Sequence, residues 1–156
     1  MDFLEWLSGL PPASVLRQSA IVYMLVNAAH ILAIGLLVGA ILPLDLRLAG
    51  FFSHVPVSVL APFLSQVSAT GLVLAAITGL CLFSVRPLEY IVNPALLTKL
   101  GLIAFGTLNA FLQHRGPAWR EALQDGPIRL KVRLLAIVSL ATWITAVIAG
   151  RWIGFL

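Results

Sequence analysis

The chain has 156 residues, of which 60% are hydrophobic and 10% charged, and its formal net charge is +4. Soluble domains carry about 25% charged and roughly 45–50% apolar residues, and so short a chain cannot bury this apolar excess in one core. The composition, with a mean hydropathy of +1.02, excludes a soluble enzyme, a nucleic-acid-binding domain and a disordered tail. It predicts one domain over residues 1–156 that lies in the lipid bilayer.

The N-terminus does not resemble a secretory signal peptide, because acidic residues stand where such a signal has a basic region. Residues 2–10 form a short amphipathic segment that contains Trp6 and is followed by Pro11 and Pro12, which we expect to end it. This pattern predicts a helix on the membrane interface that does not cross the bilayer.

Four apolar segments are long enough to cross a hydrocarbon core, which takes about 20 helical residues. They are predicted at residues 19–44, 59–85, 94–114 and 132–152. Asn93 before Pro94 is typical of a helix start. Because the connections are short, the predicted fold is all-α: an integral membrane four-helix up-and-down bundle with the interfacial helix at its N-terminus.

The basic residues predict the orientation of the spans. Side A is defined as the membrane side of the N-terminus, and side B as the opposite side. Side A holds Arg17, Arg86, Lys99 and Arg151, whereas side B holds Arg47, Arg115, Arg120, Arg129, Lys131 and Arg133. The positive-inside rule then places side B in the cytoplasm and both termini in the periplasm of a bacterial inner membrane.

Small residues spaced by four predict where helices pack closely in lipid. The first span carries Gly35 and Gly39, and the second carries Gly71, Ala75 and Gly79. The single cysteine, Cys81, is interpreted as a small hydrophobic residue of the interior.

Polar residues at membrane depth are functional candidates because their burial is costly. Tyr23, Asn27 and His30 share one face of the first span, and His30 lies roughly 14 Å deep. His30 could be satisfied by hydrogen bonds within the protein, could bind haem or copper, or could relay a proton.

A polar stripe on the third span contains Lys99, Gly106 and Gln113, with Asn109 close to it. We expect it to face His30 in the bundle interior, although Lys99 could instead extend to the interface. The predicted cofactor-binding residues are His30, Asn27, Tyr23, Lys99 and Asn109.

A second polar cluster is predicted on side B. Asp45 ends the first span, His54 follows it, and His114 ends the third span, so the three could bind a divalent metal. A salt bridge from Asp45 to Arg47 or Arg115 is the alternative. His114 lies roughly 28 Å from side A, so it is a poor partner for His30 as a second haem ligand.

Three segments carry a family resemblance: NAAHILAIGLLVGAILPLDLRLAG (27–50), NPALLTKLGLIAFGTLNAFLQHR (93–115) and SLATWITAVIAGRWIGF (139–155). The chain resembles a bacterial family of uncharacterised four-helix inner-membrane proteins, a domain of unknown function. It is more distantly similar to the copper-resistance D membrane proteins. The family resemblance implies a fold and a location but no activity.

The sequence contains no hydrolase or nucleotide-binding motif. It does not decide whether the protein is an enzyme, and a redox role is compatible with it. The sequence favours an inner-membrane protein whose interior around His30 binds b-type haem or copper for electron transfer or metal handling. The alternatives are a small-solute or proton transport component, or an accessory subunit of a membrane complex. The lipid bilayer is the expected partner, and a homo-oligomer is compatible with the pattern.

Overall fold

The computed structural model describes residues 8–153 of the chain. Over this range the fold is all-α, as predicted, and contains no strand. The helices are α1 (Pro11–Gln18), α2 (Ala20–Ala49), α3 (Val57–Phe83), α4 (Pro87–Ile91), α5 (Pro94–Arg115), α6 (Pro117–Ala122) and α7 (Leu130–Trp152). The helices α2, α3, α5 and α7 are long and apolar enough to cross a membrane, which makes the chain a multi-pass membrane protein.

The N-terminal prolines stand at a break between two helical segments. Most of the predicted interfacial segment, residues 2–10, lies outside the described residues, but Ser8 is helical whereas Gly9 and Leu10 are not, which agrees with a segment that ends before the prolines. Pro11 and Pro12 then occupy the first positions of α1, where a missing N–H costs no hydrogen bond. Arg17 of α1 donates hydrogen bonds to the carbonyl oxygens of Ser8 and Val85, which holds α1 against the side-A end of α3.

The first span is longer than predicted because α2 continues through Pro43 and Asp45 to Ala49. It ends at Gly50, whose φ of 118° is a left-handed conformation that glycine adopts without steric cost. At the start of α5, the Asn93 side chain accepts hydrogen bonds from the backbone N–H groups of Ala95 and Leu96, as the Asn-Pro pair predicted.

The four long helices pack in the order α3, α2, α7, α5. The helix α2 packs along both α3 and α7, and α7 packs along α5, whereas α3 and α5 are not packed along each other. Their side chains still meet on side B, where the Ser65 hydroxyl and His114 Nε2 are 3.1 Å apart. Because α2 packs along α7, the first and last spans are direct neighbours.

The close approach of α2 and α3 depends on glycines of α3. A Cβ atom added at Gly71 would lie 2.5 Å from the backbone nitrogen of Leu37, and one at Gly79 would lie 3.1 Å from His30 Cε1. The predicted close packing at these two glycines is confirmed. The same prediction for Gly35 and Gly39 is wrong, because both are exposed on α2 with no other atom within 4 Å of an added Cβ.

Candidate functional site

His30 points from α2 into the bundle and packs against α3. Its Nδ1 lies 2.9 Å from the hydroxyl oxygen of Thr78, and its Cε1 faces Gly79. The absence of a side chain at Gly79 makes room for the ring. The inward orientation expected from the sequence is therefore confirmed.

Thr78 determines which nitrogen of His30 carries the proton. The Thr78 hydroxyl donates its only hydrogen to the carbonyl oxygen of Leu74, at 2.7 Å. With that hydrogen engaged, the Thr78 oxygen accepts from His30 Nδ1–H, which is the tautomer that leaves the lone pair of the neutral ring on Nε2. The Ala75 carbonyl, 3.4 Å from the same hydroxyl, is a second hydrogen-bond partner of the His30 ring.

Lys99 contributes a positive charge within electrostatic range of His30. It is partly buried, and its chain lies along α7, where a Cβ added at Gly150 would be 3.3 Å from Cδ, Cε and Nζ of Lys99. The ammonium group is close enough to His30 to act on the ring electrostatically. Among the described residues no carboxylate forms an ion pair with Lys99. We call His30, Thr78, Gly79 and Lys99 the A-side site.

The other predicted cofactor-binding residues do not join this site. Tyr23 lies beside Tyr90 of α4. The pKa of Tyr90 is raised, mainly because the residue is partly buried and secondly because the Tyr23 hydroxyl is close to it. Asn27 is exposed and makes no hydrogen bond within the described chain, because it lies about 120° around the helix from Ala33 on the buried face. Asn109 of α5 is buried between α5 and α7, where its side chain donates a hydrogen bond to the Leu135 carbonyl oxygen of α7 at 3.0 Å.

The predicted metal ligands on side B have separate partners. Asp45 is buried and hydrogen-bonded to Ser139 of α7. His114 uses both ring nitrogens, with Nδ1 2.7 Å from the Ala110 carbonyl oxygen and Nε2 beside Ser65. His54 lines an open pocket of about 390 Å³.

No group of three or more His, Cys, Asp or Glu side chains in residues 8–153 is placed to hold a metal ion, so the structure does not bring Asp45, His54 and His114 together. The reason is that α2 continues past Asp45 and turns it inward. The alternative salt bridge is absent from this part of the chain too, because Arg47 donates instead to the carbonyl oxygens of Val55 and Ser53.

An apolar layer separates the A-side site from Asp45. It consists of Leu37 and Ile41 of α2 and Trp143 of α7, with Leu72 and Ile103 packed against them. The Trp143 ring lies over Gly106, where an added Cβ would be 3.1 Å from Cε2 and Cζ2. His30 and Asp45 are 15 residues apart in sequence, or about 22 Å along α2.

The sequence pattern missed Thr78, which is the residue that fixes the His30 tautomer. A signal was present, because Thr78 immediately precedes Gly79 on the predicted packing face of α3. A hydroxyl group within a membrane helix usually bonds to its own backbone, however, and the sequence does not reveal that a histidine shares this one.

Two side-B carboxylates predict acid sensitivity. Asp125 accepts hydrogen bonds from the Ser58 hydroxyl and backbone N–H, at 2.6 and 3.2 Å, which hold its pKa below 3.8. The hydrogen bond from Arg129 likewise lowers the pKa of Glu121. A carboxylate with a lowered folded-state pKa stabilises the fold at neutral pH, and this contribution disappears as the pH falls through that pKa.

We therefore expect the melting temperature in detergent to fall as the pH is lowered below 3.8, and Asp125→Asn to reduce the size of that fall. Glu89→Gln serves as a control, because the exposed Arg86–Glu89 pair contributes little. An acid response that is the same in Asp125→Asn and in the unmodified chain would contradict this assignment.

The comparisons with known proteins identify the family and no activity. No curated protein and no solved structure matches the chain, so the more distant similarity to the copper-resistance D proteins finds no support. A family model described as "Family of unknown function (DUF6644)" matches residues 5–156. This range is nearly the whole chain, and it includes every residue of the A-side site. The chain therefore belongs to this family of unknown function.

Proposed function

We propose that this chain is a bacterial inner-membrane protein that binds b-type haem at the A-side site and takes part in electron transfer. The observation that carries the proposal is the inward-facing His30 ring, whose Nδ1 lies 2.9 Å from the Thr78 hydroxyl and whose Nε2 is then the candidate ligand atom. Histidines that bind metals characteristically donate their second N–H to a neighbouring acceptor, which fixes the tautomer and the ring orientation. Thr78 has that role here.

The side chains available as metal ligands favour haem over copper. The porphyrin ring supplies the equatorial ligands of haem iron, so one imidazole from the protein is sufficient. A copper ion would take its ligands from the protein, and residues 8–153 place no three candidate side chains together. Lys99 also opposes a second cation beside His30, whereas its ammonium group can pair with a carboxylate such as a haem propionate.

The apolar layer is the reason to prefer a binding site to a transport path. A solute or proton path across the membrane requires polar groups or water along its length. Leu37, Ile41 and Trp143 lie between the A-side site and Asp45, and the Thr142 hydroxyl at this level donates to the Val138 carbonyl oxygen of its own helix. With side B in the cytoplasm, the A-side site belongs to the periplasmic half of the bundle.

The test is the visible absorption spectrum of the protein purified from membranes and titrated with hemin, before and after reduction with dithionite. We expect a Soret band that sharpens on reduction in the unmodified chain, and its loss in His30→Ala. His114→Ala is the matched control and should keep the band, because both nitrogens of His114 are engaged by the protein. Thr78→Val should weaken hemin binding without abolishing it.

Two results would overturn the proposal. The first is an unmodified protein that takes up no hemin in detergent or in lipid nanodiscs. The second is a His30→Ala protein that binds hemin with unchanged affinity, which would show binding elsewhere. Circular dichroism on each variant establishes that the helices are intact when binding is lost.

A further inference from the structure

Asp45 is a carboxyl group enclosed within the side-B half of the bundle. It is 3% exposed, and Ser139 of α7 is the side chain that hydrogen-bonds to it. Its Oδ2 atom is buried and has no hydrogen-bond partner. An acidic group in this position is costly unless something compensates for the missing interactions.

No basic side chain compensates Asp45 within residues 8–153, where the ion pairs are Arg86–Glu89 and Arg129–Glu121. On its own helix, Arg47 donates to loop carbonyl oxygens. The helix α3 contains no histidine and no charged residue. On α7, the guanidinium group of Arg133 faces Gly50, and on α5, His114 is held by Ser65 and Ala110, while Arg115 lies over the Phe111 ring.

A second unsatisfied group lies about one helical turn from Asp45 towards side A. The indole nitrogen of Trp143 is buried without an acceptor, and Trp143 is one turn from Ser139 on α7, just as Ile41 is one turn from Asp45 on α2. Ile41 and Trp143 belong to the same apolar cluster. The interior next to Asp45 therefore also holds an unpaired donor, on the edge of the Trp143 ring that faces Gly106 of α5.

A proton is the cation that this arrangement can accommodate. An ionised carboxylate without a partner is strongly disfavoured in a protein interior, and a proton removes that charge without needing further ligands. A metal ion would need additional ligands, and no cluster of candidate ligands surrounds Asp45 in the described chain.

We propose that Asp45 is an intramembrane proton-binding site, protonated at neutral pH. Apolar clusters enclose it on both sides, with Leu37, Ile41 and Trp143 towards side A and Leu44, Leu48 and Val57 towards side B, so water does not solvate the ionised form. Raising the pH removes the proton and leaves an unpaired charge between α2 and α7. The contact between the first and last spans therefore weakens with increasing pH.

Infrared spectroscopy tests the proposal directly. The chain contains the aspartates Asp2, Asp45 and Asp125, so aspartate labelled isotopically at its side-chain carboxyl identifies their bands. In lipid nanodiscs at neutral pH we expect a protonated carboxylic acid band that shifts with the label. It should disappear in Asp45→Asn and persist in Asp125→Asn, the matched control, whose carboxylate is held ionised by Ser58.

A stability measurement gives an independent readout. The melting temperature of the unmodified chain should fall as the pH rises from about 4, where the carboxyl of the unfolded chain ionises, and should level off once Asp45 is ionised in the folded chain. The same contribution should be missing from Asp45→Asn, because an amide cannot ionise. The proposal fails if the labelled unmodified chain shows no protonated aspartate band at neutral pH, or if the band persists in Asp45→Asn. If Asp45→Asn does not fold, persistence of the band in both Asp2→Asn and Asp125→Asn assigns it to Asp45, and its loss in either variant contradicts the proposal.

Discussion

Gly71→Leu should destabilise the bundle by about 3 kcal/mol, at the upper end of the usual cost of overpacking. The first atom of the new side chain would lie 2.5 Å from the backbone nitrogen and 2.8 Å from the Cα of Leu37. Backbone atoms of a helix cannot rotate away as a side chain can, so α2 and α3 would have to separate. Equilibrium unfolding in mixed detergent micelles measures the loss.

Gly35→Leu is the matched control, because it makes the same substitution on the other face of α2. No atom lies within 4 Å of a Cβ added there, so we expect its free energy of unfolding to change by less than about 0.5 kcal/mol. An equally large loss in Gly35→Leu would contradict the assignment, because it would mean that the Gly35 face of α2 is packed as well.

Trp143→Ala should cost about 3 kcal/mol, at the lower end of the range for removing a large aromatic residue from a core. The ring is 3% exposed and fills the space between α2, α5 and α7. Part of the lost packing energy is offset because the indole N–H, which is buried without an acceptor, is also removed.

Trp143→Phe separates these two contributions to the free energy of unfolding. It keeps most of the ring volume and removes the unsatisfied N–H, so we expect it to be nearly neutral. Trp152→Ala is the control for the loss of a tryptophan, since Trp152 is 57% exposed and should cost less than about 1 kcal/mol. A large loss in Trp143→Phe would indicate that the indole N–H has a partner, such as a buried water molecule.

The spans were predictable from the sequence because their length and composition are dictated by the bilayer. The start of α5 was equally predictable, since Asn93 and Pro94 act through local geometry. The packed face of α2 was not, because lipid and protein interior are both apolar and the sequence pattern barely distinguishes them. Gly35 and Gly71 occur in similar surroundings in the sequence, yet Gly35 is exposed and Gly71 contacts backbone.

The candidate site was predictable only in part, for a related reason. His30 and Lys99 are identifiable as costly groups at membrane depth, but the choice of Thr78 as the partner of His30 depends on the packing of α3 against α2. Asp45 was placed at a helix end because charged residues usually mark the boundary of a span. The structure turns it inward instead, and its surroundings come from α7, which is remote in sequence.

The contact of α2 with α7 has a consequence for assembly in the membrane. The chain inserts its spans in order during synthesis, so α2 enters the bilayer first and meets its neighbour α7 last. Until then Asp45 lacks Ser139, and the N-terminal turn of α3 lacks Asp125, which lies 67 residues after Ser58. An incomplete chain that ends after α5 therefore presents an acidic group to lipid, a feature by which membrane quality control can distinguish unfinished from finished molecules.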